Sequence, residues 1–387
     1  MAPEIQPRPT ADGRAPDAAS LGPAPESGKS GDSRPRDLEW VFFGEDGFRV
    51  GWRIAAFWLL VKMLFQAVGF VVGTLHPTGG GGGGEVSPSD ALISELAGFV
   101  TVAVAVAVMA KIEQRRILDY NLRGSHRLAH FFGGVLAGFL ALSLLVGTLV
   151  WGHWLQFGGV NLTGAAIVQY GAVWGCVFLL VGFIEEGTMR CYVQFTLTRG
   201  INFWWALAVV GGICLYLLVR TRGNGVWGVY ACALVGLIPC LLLHLKKAES
   251  AGFWQAAWAT STFFGFGHTS NGGENWVGIF AASLIGFVFC ASVKVTGSAW
   301  WAIGCHAAWD WGETFFYGTA DSGFTAQGHY LTSTPTGAML WSGGSDGPEG
   351  SVLVVPVVFL LLAAVALLYG RGKPAEVNAS AAATQPG

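Results

Sequence analysis

Six side chains of this chain could carry out water-mediated hydrolysis. They are two adjacent glutamates, Glu185 and Glu186, an arginine, Arg190, two histidines, His268 and His306, and an aspartate, Asp310. All stand in or beside runs of apolar residues, where an ionisable side chain is a functional-site hypothesis by default. A glutamate can take a proton from water as general base. A histidine can donate to a developing oxyanion, or ligate a divalent metal such as zinc that lowers the pKa of bound water. The residue types leave both histidine roles open.

Spacing adds detail. Consecutive helical residues lie about 100° apart, so Glu185 and Glu186 can border one cleft. Arg190 follows Glu186 by one turn on the same face, which locks Glu186 and leaves Glu185 free to act on water. One reading ends the span at Ile184 and makes the pair an interfacial salt bridge; the other continues the helix to Leu197 and buries both acids. His268 closes the run FFGFGH, with Phe264 one turn earlier, and Gly265 and Gly267 permit close approach of backbone or substrate. A structural helix-end histidine is the alternative there. His306 and Asp310 are spaced i,i+4 in GCHAAWDWGE, and Glu313 extends that face. The aspartate could orient the imidazole, both could face a water or metal, or the two could be a packing clamp. His268, His306 and Asp310 with a water could form a tetrahedral metal site from separate helices, although HExxH is absent.

The elements that must position these groups are transmembrane helices. Of 387 residues, 52% are hydrophobic and 12% charged, with 17 tryptophans, 26 phenylalanines and 57 glycines. That balance suits a polytopic membrane protein and fits a soluble globule badly. A span needs roughly 20 apolar residues, and candidate runs fall at 50–75, 89–110, 130–152, 164–184, 201–219, 226–245, 253–268, 276–293, 298–316 and 351–369. The predicted fold class is therefore all-α, with about 8–10 membrane helices. Segment 253–268 is short enough to be broken or re-entrant. Residues 1–39 read as a disordered tail without the apolar core of a secretory signal. Residues 40–160 read as N-terminal membrane helices, 161–316 as the core holding the six side chains, 317–350 as a long loop, and 351–387 as a last helix with a polar tail. The stretch 76–89 reads as a flexible glycine-rich loop. No basic patch suits nucleic acid, which leaves membrane lipid as the expected surroundings.

Positive charge sets the expected orientation. The basic segment Lys111 to Arg127 belongs in the cytoplasm, which places both termini there, together with Lys246, Lys247, Arg371 and Lys373. Arg220 and Arg222 then fall outside, against the rule. The 317–350 loop, with Asp321, His329, Asp346 and Glu349, becomes extracytoplasmic, as a lid, a binding loop or a plain cap. The seven cysteines lie in or beside apolar runs without a CxxC pair and read as small buried hydrophobes.

Three motifs in order, EExxxR (Glu185, Glu186, Arg190), FxxxH (Phe264, His268) and HxxxN/D (His306, Asp310), resemble the CAAX-processing and bacteriocin-processing (CPBP, or Abi) intramembrane proteases, relatives of the type II CAAX prenyl endopeptidases. The resemblance covers roughly residues 165–315. It implies an all-helical membrane protease core, a catalytic Glu185 or Glu186 completed by His268, His306 and Asp310, and a membrane-anchored protein or peptide as substrate. It also implies a metalloprotease label, and Asp310, where relatives of the prenyl-protein-cleaving group usually carry asparagine, is the better metal ligand. Glycine-rich and compact basic loops point to a bacterial inner membrane. Two other readings are an ion- or proton-coupled transporter or channel, since buried Glu, His and Asp can relay protons, and an inactive membrane scaffold. Paired repeats would favour the first and a lost motif residue the second; the sequence shows neither.

Overall fold

The computed structural model describes residues 39–44, 47–75, 85–220 and 226–370. Residues 1–38 of the expected N-terminal tail, residues 76–84 of the glycine-rich stretch and the tail after Gly370 lie outside them, as do Arg222, Arg371 and Lys373; the rest of the glycine-rich stretch, read as a flexible loop, forms instead a short strand at Glu85–Val86 and the start of a helix at Pro88. Among the described residues ten helices carry the fold: α1 Val50–Leu75, α2 Pro88–Ile112, α3 Arg127–Trp151, α4 Ala165–Leu197, α5 Phe203–Arg220, α6 Val226–Leu245, α7 Ala251–Gly267, α8 Trp276–Thr296, α9 Trp300–Trp311 and α10 Val354–Tyr369. Six of them (α1 to α5 and α8) are long and apolar enough to cross a membrane, and the protein is a polytopic integral-membrane protein with an all-α fold. The outward side chains are what lipid requires. Leu59, Phe65 and Phe70 of α1 are exposed, as are Leu136, Leu140 and Leu144 of α3.

Local sequence explains where the helices begin and stop. Ser87 precedes Pro88 at the first turn of α2, where a missing N–H costs nothing. Asn275 caps α8, its side-chain oxygen accepting from the amides of Val277 and Gly278 at 2.7 and 3.3 Å. Gly297 ends α8 in the left-handed region, φ 75°.

The helix that carries His306 and Asp310 is held by backbone contact. On α3, Gly134 and Gly138 face the carbonyls of Trp301 and Cys305, and on α9 Gly304 faces the carbonyl of Phe131; a Cβ at any of the three would collide with that backbone. Small residues one turn apart let two helices approach this closely in lipid. Gly182 of α4 would set a Cβ 3.0 Å from the carbonyl of Ile303, so α9 is gripped from two sides. Around this seam lies the larger core, with Leu142, Leu145 and Leu149 of α3, Val288 of α8, Trp301 and Cys305 of α9, and Leu361 of α10.

Short ladders tie the connections together at one end of the bundle. Glu85–Val86 pairs in parallel with Thr325–Ala326, and Leu155–Val160 pairs antiparallel with Leu331–Pro335. The 317–350 segment is thus laced to the entry of α2 and to the α3–α4 connection. At the other end Asn121 and Leu122 accept from the Ala299 amide (2.8 Å) and the Trp300 indole (3.0 Å). The two sets of connections segregate as alternating spans require.

Candidate active site

Helix α4 is the unusual element. Its regular α-helical part runs from Ala165 to Glu186, a π-turn spans Gly187–Val193, and Gln194–Leu197 closes it. The span therefore does not stop at Ile184. At 1.5 Å per residue, Ala165 to Glu186 reaches about 32 Å into the helix, and the eleven residues to Leu197, nearly three further turns, follow. Helix α7, by contrast, has 17 residues and ends at Gly267. A long α4 and a short α7 bring Glu185 and His268 to one depth.

Glu186 and Arg190 form an ion pair inside the protein. Arg190 Nε stands 3.1 Å from Glu186 Oε2, with side chains 1% and 0% exposed. The contact is electrostatic more than directional, because none of the guanidinium nitrogens meets a well-aligned acceptor among the described residues. The guanidinium also lies over the rings of Phe264 (4.4 Å) and Phe289 (5.3 Å). Such faces attract a desolvated cation. Gly286 makes the room: a Cβ there would stand 2.6 Å from an Arg190 Nη. The π-turn frees the Arg190 carbonyl from a regular ladder, and Asn121 Nδ2 donates to it at 2.7 Å. π-Turns recur at functional sites for this reason.

His306 is the hub. Its Nδ1 donates to Glu186 Oε1 at 2.9 Å. Its Nε2 faces Asp310 Oδ2 at 3.5 Å and Glu185 Oε2 at 3.7 Å. Phe289 stacks on the imidazole at 5.6 Å and Phe264 meets it edge-on at 6.1 Å. His268 sits on the other side of Phe264, with ring centroids 4.9 Å apart, and its Nδ1 donates to the Phe264 carbonyl at 2.9 Å. That bond fixes the tautomer. Neutral His268 keeps a lone pair on Nε2, and only its protonated form donates from that atom.

One cavity of about 630 Å³ collects these groups. Glu185, His268, His306 and Asp310 all line it, and its apolar wall includes Trp174, Phe178, Ile285 and Phe289. Glu186 and Arg190 do not line it and act from behind His306. Glu185 is the accessible acid, its side chain 36% exposed against 0% for Glu186. Two groups of the site escaped the sequence reading. Glu95 of α2 lines the cavity from an apolar span, and the rule that flagged Glu185 applies to it equally. Asn121, which holds the Arg190 carbonyl and does not line the cavity, lies in a polar loop and carries no such signal.

A second polar cluster roofs the cavity. Glu313, in the π-turn Gly312–Phe316 that continues α9, meets Asp321 and Glu349 of the 317–350 region, each offering one oxygen with all three within 4.8 Å of one another. These side chains could hold a divalent metal; His268, His306 and Asp310, placed among the ligands by sequence, are none of the three. In the same cap burial raises Asp321 to about 6 and Asp346 to about 7, and pushes Glu349 well up. Burial and the neighbouring Asp346 raise Glu274 to about 8.

Residues 240–312 match the family described as Type II CAAX prenyl endopeptidase Rce1-like. That segment holds His268, His306 and Asp310 and stops short of nothing in the second and third motifs, while Glu185, Glu186 and Arg190 precede it. The family resemblance read from the motifs holds over this segment. No curated protein and no solved structure matches the chain.

Proposed function

We propose that this protein is a membrane-embedded endopeptidase in which Glu185 activates water. The observation that carries the reading is the shared cavity: Glu185, His268, His306 and Asp310 approach it from α4, the end of α7 and α9. Glu186 is committed to Arg190 and His306, so Glu185 is the carboxylate that can meet a water.

In this mechanism Glu185 takes a proton from water as the oxygen attacks the scissile carbonyl. The same carboxyl then returns the proton to the leaving amine. His306 is held by Glu186 on one side and faces Asp310 on the other, so the imidazole cannot rotate away from the reacting atoms. Protonated His268 donates from Nε2 to the oxyanion. A zinc-class metal at this site would be held by His268, His306 and Asp310 and would supply Lewis acidity toward the scissile carbonyl. The apolar wall suits a membrane-anchored protein or peptide whose scissile bond enters from lipid. A bacterial inner membrane, with both termini cytoplasmic, is the location that the basic connections favour.

The test is turnover of a membrane-anchored peptide set by purified wild type, Glu185→Gln and Glu186→Gln, each with and without chelator. Loss of a general base slows a reaction by about 10²–10⁴-fold. Glu185→Gln should fall in that range with the fold intact. Full turnover in that variant removes the assignment, and full turnover in both removes the site. A chelator effect reversed by zinc supports the metal ligands.

A further inference from the structure

We propose that Glu313, Asp321 and Glu349 form a binding site for a hard divalent cation of the calcium class, which clamps the 317–350 segment onto the end of α9. The site is independent of the peptidase reading.

Charge is the first argument. Between Glu249 and Arg371 the sequence has six Asp and Glu, namely Glu274, Asp310, Glu313, Asp321, Asp346 and Glu349, and one Lys or Arg, Lys294. Lys294 is in the last turn of α8, over the Phe253 ring, at the opposite end of that helix from Glu274. The acids of the roof thus have no basic side chain of their own segment to pair with. Buried carboxylates without a counter-charge are expensive.

Geometry is the second argument. Each carboxylate of the triad takes a hydrogen bond on one oxygen. Trp309 Nε1 donates to Glu313 Oε2 at 2.9 Å, Thr314 to Asp321 Oδ2 at 2.9 Å, and Ser322 to Glu349 Oε2 at 3.4 Å. Those donors orient the groups as outer-shell partners orient metal ligands. The remaining oxygen of Glu313 is the telling one. Glu313 is 0% exposed, and its Oε1 has no hydrogen-bond partner among the described residues. That atom points off the end of α9 toward the loop, 3.2 Å from where a Cβ on Gly347 would stand, two residues before Glu349. A buried, oriented and unpartnered carboxylate oxygen facing two further carboxylates is what a cation site looks like without its ion.

Ligand chemistry selects the ion. Three carboxylates with no nitrogen or sulfur donor suit a hard cation, and Ca²⁺ accepts the irregular loop geometry better than Mg²⁺, which demands a near-octahedral shell. Zinc sites more often draw on His and Cys. The consequence is mechanical. Asp321, Ser322, Phe324 and Glu349 line the cavity, so an ion that fixes Asp321 and Glu349 to Glu313 fixes the cavity roof.

The test uses the full-length protein in detergent and Tb³⁺ as the probe, because the Trp309 indole bonded to Glu313 is placed to sensitise its luminescence. Saturable tryptophan-sensitised emission, displaced by CaCl₂ more effectively than by MgCl₂ or ZnCl₂, is expected. Asp321→Asn and Glu349→Gln should each weaken Tb³⁺ binding at least about tenfold, the loss of one charged ligand being worth about 1.4 kcal/mol or more. In wild type, EGTA should lower the melting midpoint and added Ca²⁺ restore it; the two variants should melt at one temperature with or without EGTA. The variants' own melting and gel-filtration profiles show that they are folded. Absence of saturable emission, emission unchanged in both folded variants, or displacement by Zn²⁺ in preference to Ca²⁺ overturns the proposal.

Discussion

Replacing Arg190 should be among the most damaging single changes in the protein, and the size of the effect follows from its surroundings. The guanidinium is 1% exposed and its partner carboxylate 0%. Removing one member of such a pair leaves the other buried and uncompensated, which costs about 3–5 kcal/mol. Glu186 would keep one donor, His306 Nδ1 at 2.9 Å, so the lower end, about 3 kcal/mol, is expected. Loss of the guanidinium from the faces of Phe264 and Phe289 adds about 0.5–2 kcal/mol. Arg190→Met preserves most of the side-chain volume and isolates the charge. Glu186→Gln in the same background removes the orphaned charge, so the double variant should recover most of the loss. The assay is a double-mutant cycle read by thermal unfolding and by folded yield on gel filtration. If Arg190→Met stays within about 0.5 kcal/mol of wild type, the pair contributes nothing that matters. If the two losses simply add, Glu186 and Arg190 are not coupled, and the account of Glu186 as a locked acid fails.

Three further outcomes are expected. Gly138→Leu should disrupt the α3–α9 contact by at least the 1–3 kcal/mol typical of overpacking, about what backbone collision demands, whereas Gly147→Leu, in open space on the same helix, should be tolerated; folded yield of the two distinguishes them. Asn275→Ala removes the α8 cap and the contacts to the Gly343 and Gly350 carbonyls, and should lower stability by about 1–2 kcal/mol in a thermal melt. In chelator, stability should fall as pH rises through about 7 and 8, the raised values of Asp346 and Glu274. The sign follows from linkage. Both folded values lie above the free ones of 3.8 and 4.5, so the stabilisation is complete below about pH 4 and is lost on titration of the folded form. Glu274→Gln should flatten that profile between about pH 5 and pH 9, and a profile that remains as steep refutes the assignment.

Much of this arrangement was legible beforehand. The ten apolar runs became ten helices because lipid forces every backbone group to be satisfied within its own segment. The i,i+4 spacing placed Glu186 against Arg190 and His306 against Asp310, since helical geometry alone sets those distances. What stayed hidden depends on paths rather than periods. The apolar count leaves open whether α4 stops at Ile184 or runs on to Leu197, and nothing in it signals the π-turn on the way. The strand pairing of 155–160 with 331–335 joins segments far apart in sequence, and no alternating pattern announces it. Asp321 and Glu349 were visible as loop acids, but their meeting with Glu313 is a property of the folded loop.

A π-turn holds one more residue than the α-turn it interrupts, which gives residues 187–193 of α4 an unusual tolerance and an unusual vulnerability. Deleting one residue there would let the helix relax to regular geometry without breaking it. The flanks would keep their facing, because the wider turn absorbs its extra residue. Glu185 and Glu186, upstream, would stay on the cavity side, and the tyrosine now numbered 192 would still reach Glu113 Oε1, 2.7 Å away at present. What would go is the widened turn itself, with the Arg190 carbonyl that Asn121 holds at 2.7 Å. A chain of the same composition with one residue fewer would satisfy every hydropathy rule and keep both anchorages of one rod, and would lose the local shape between them.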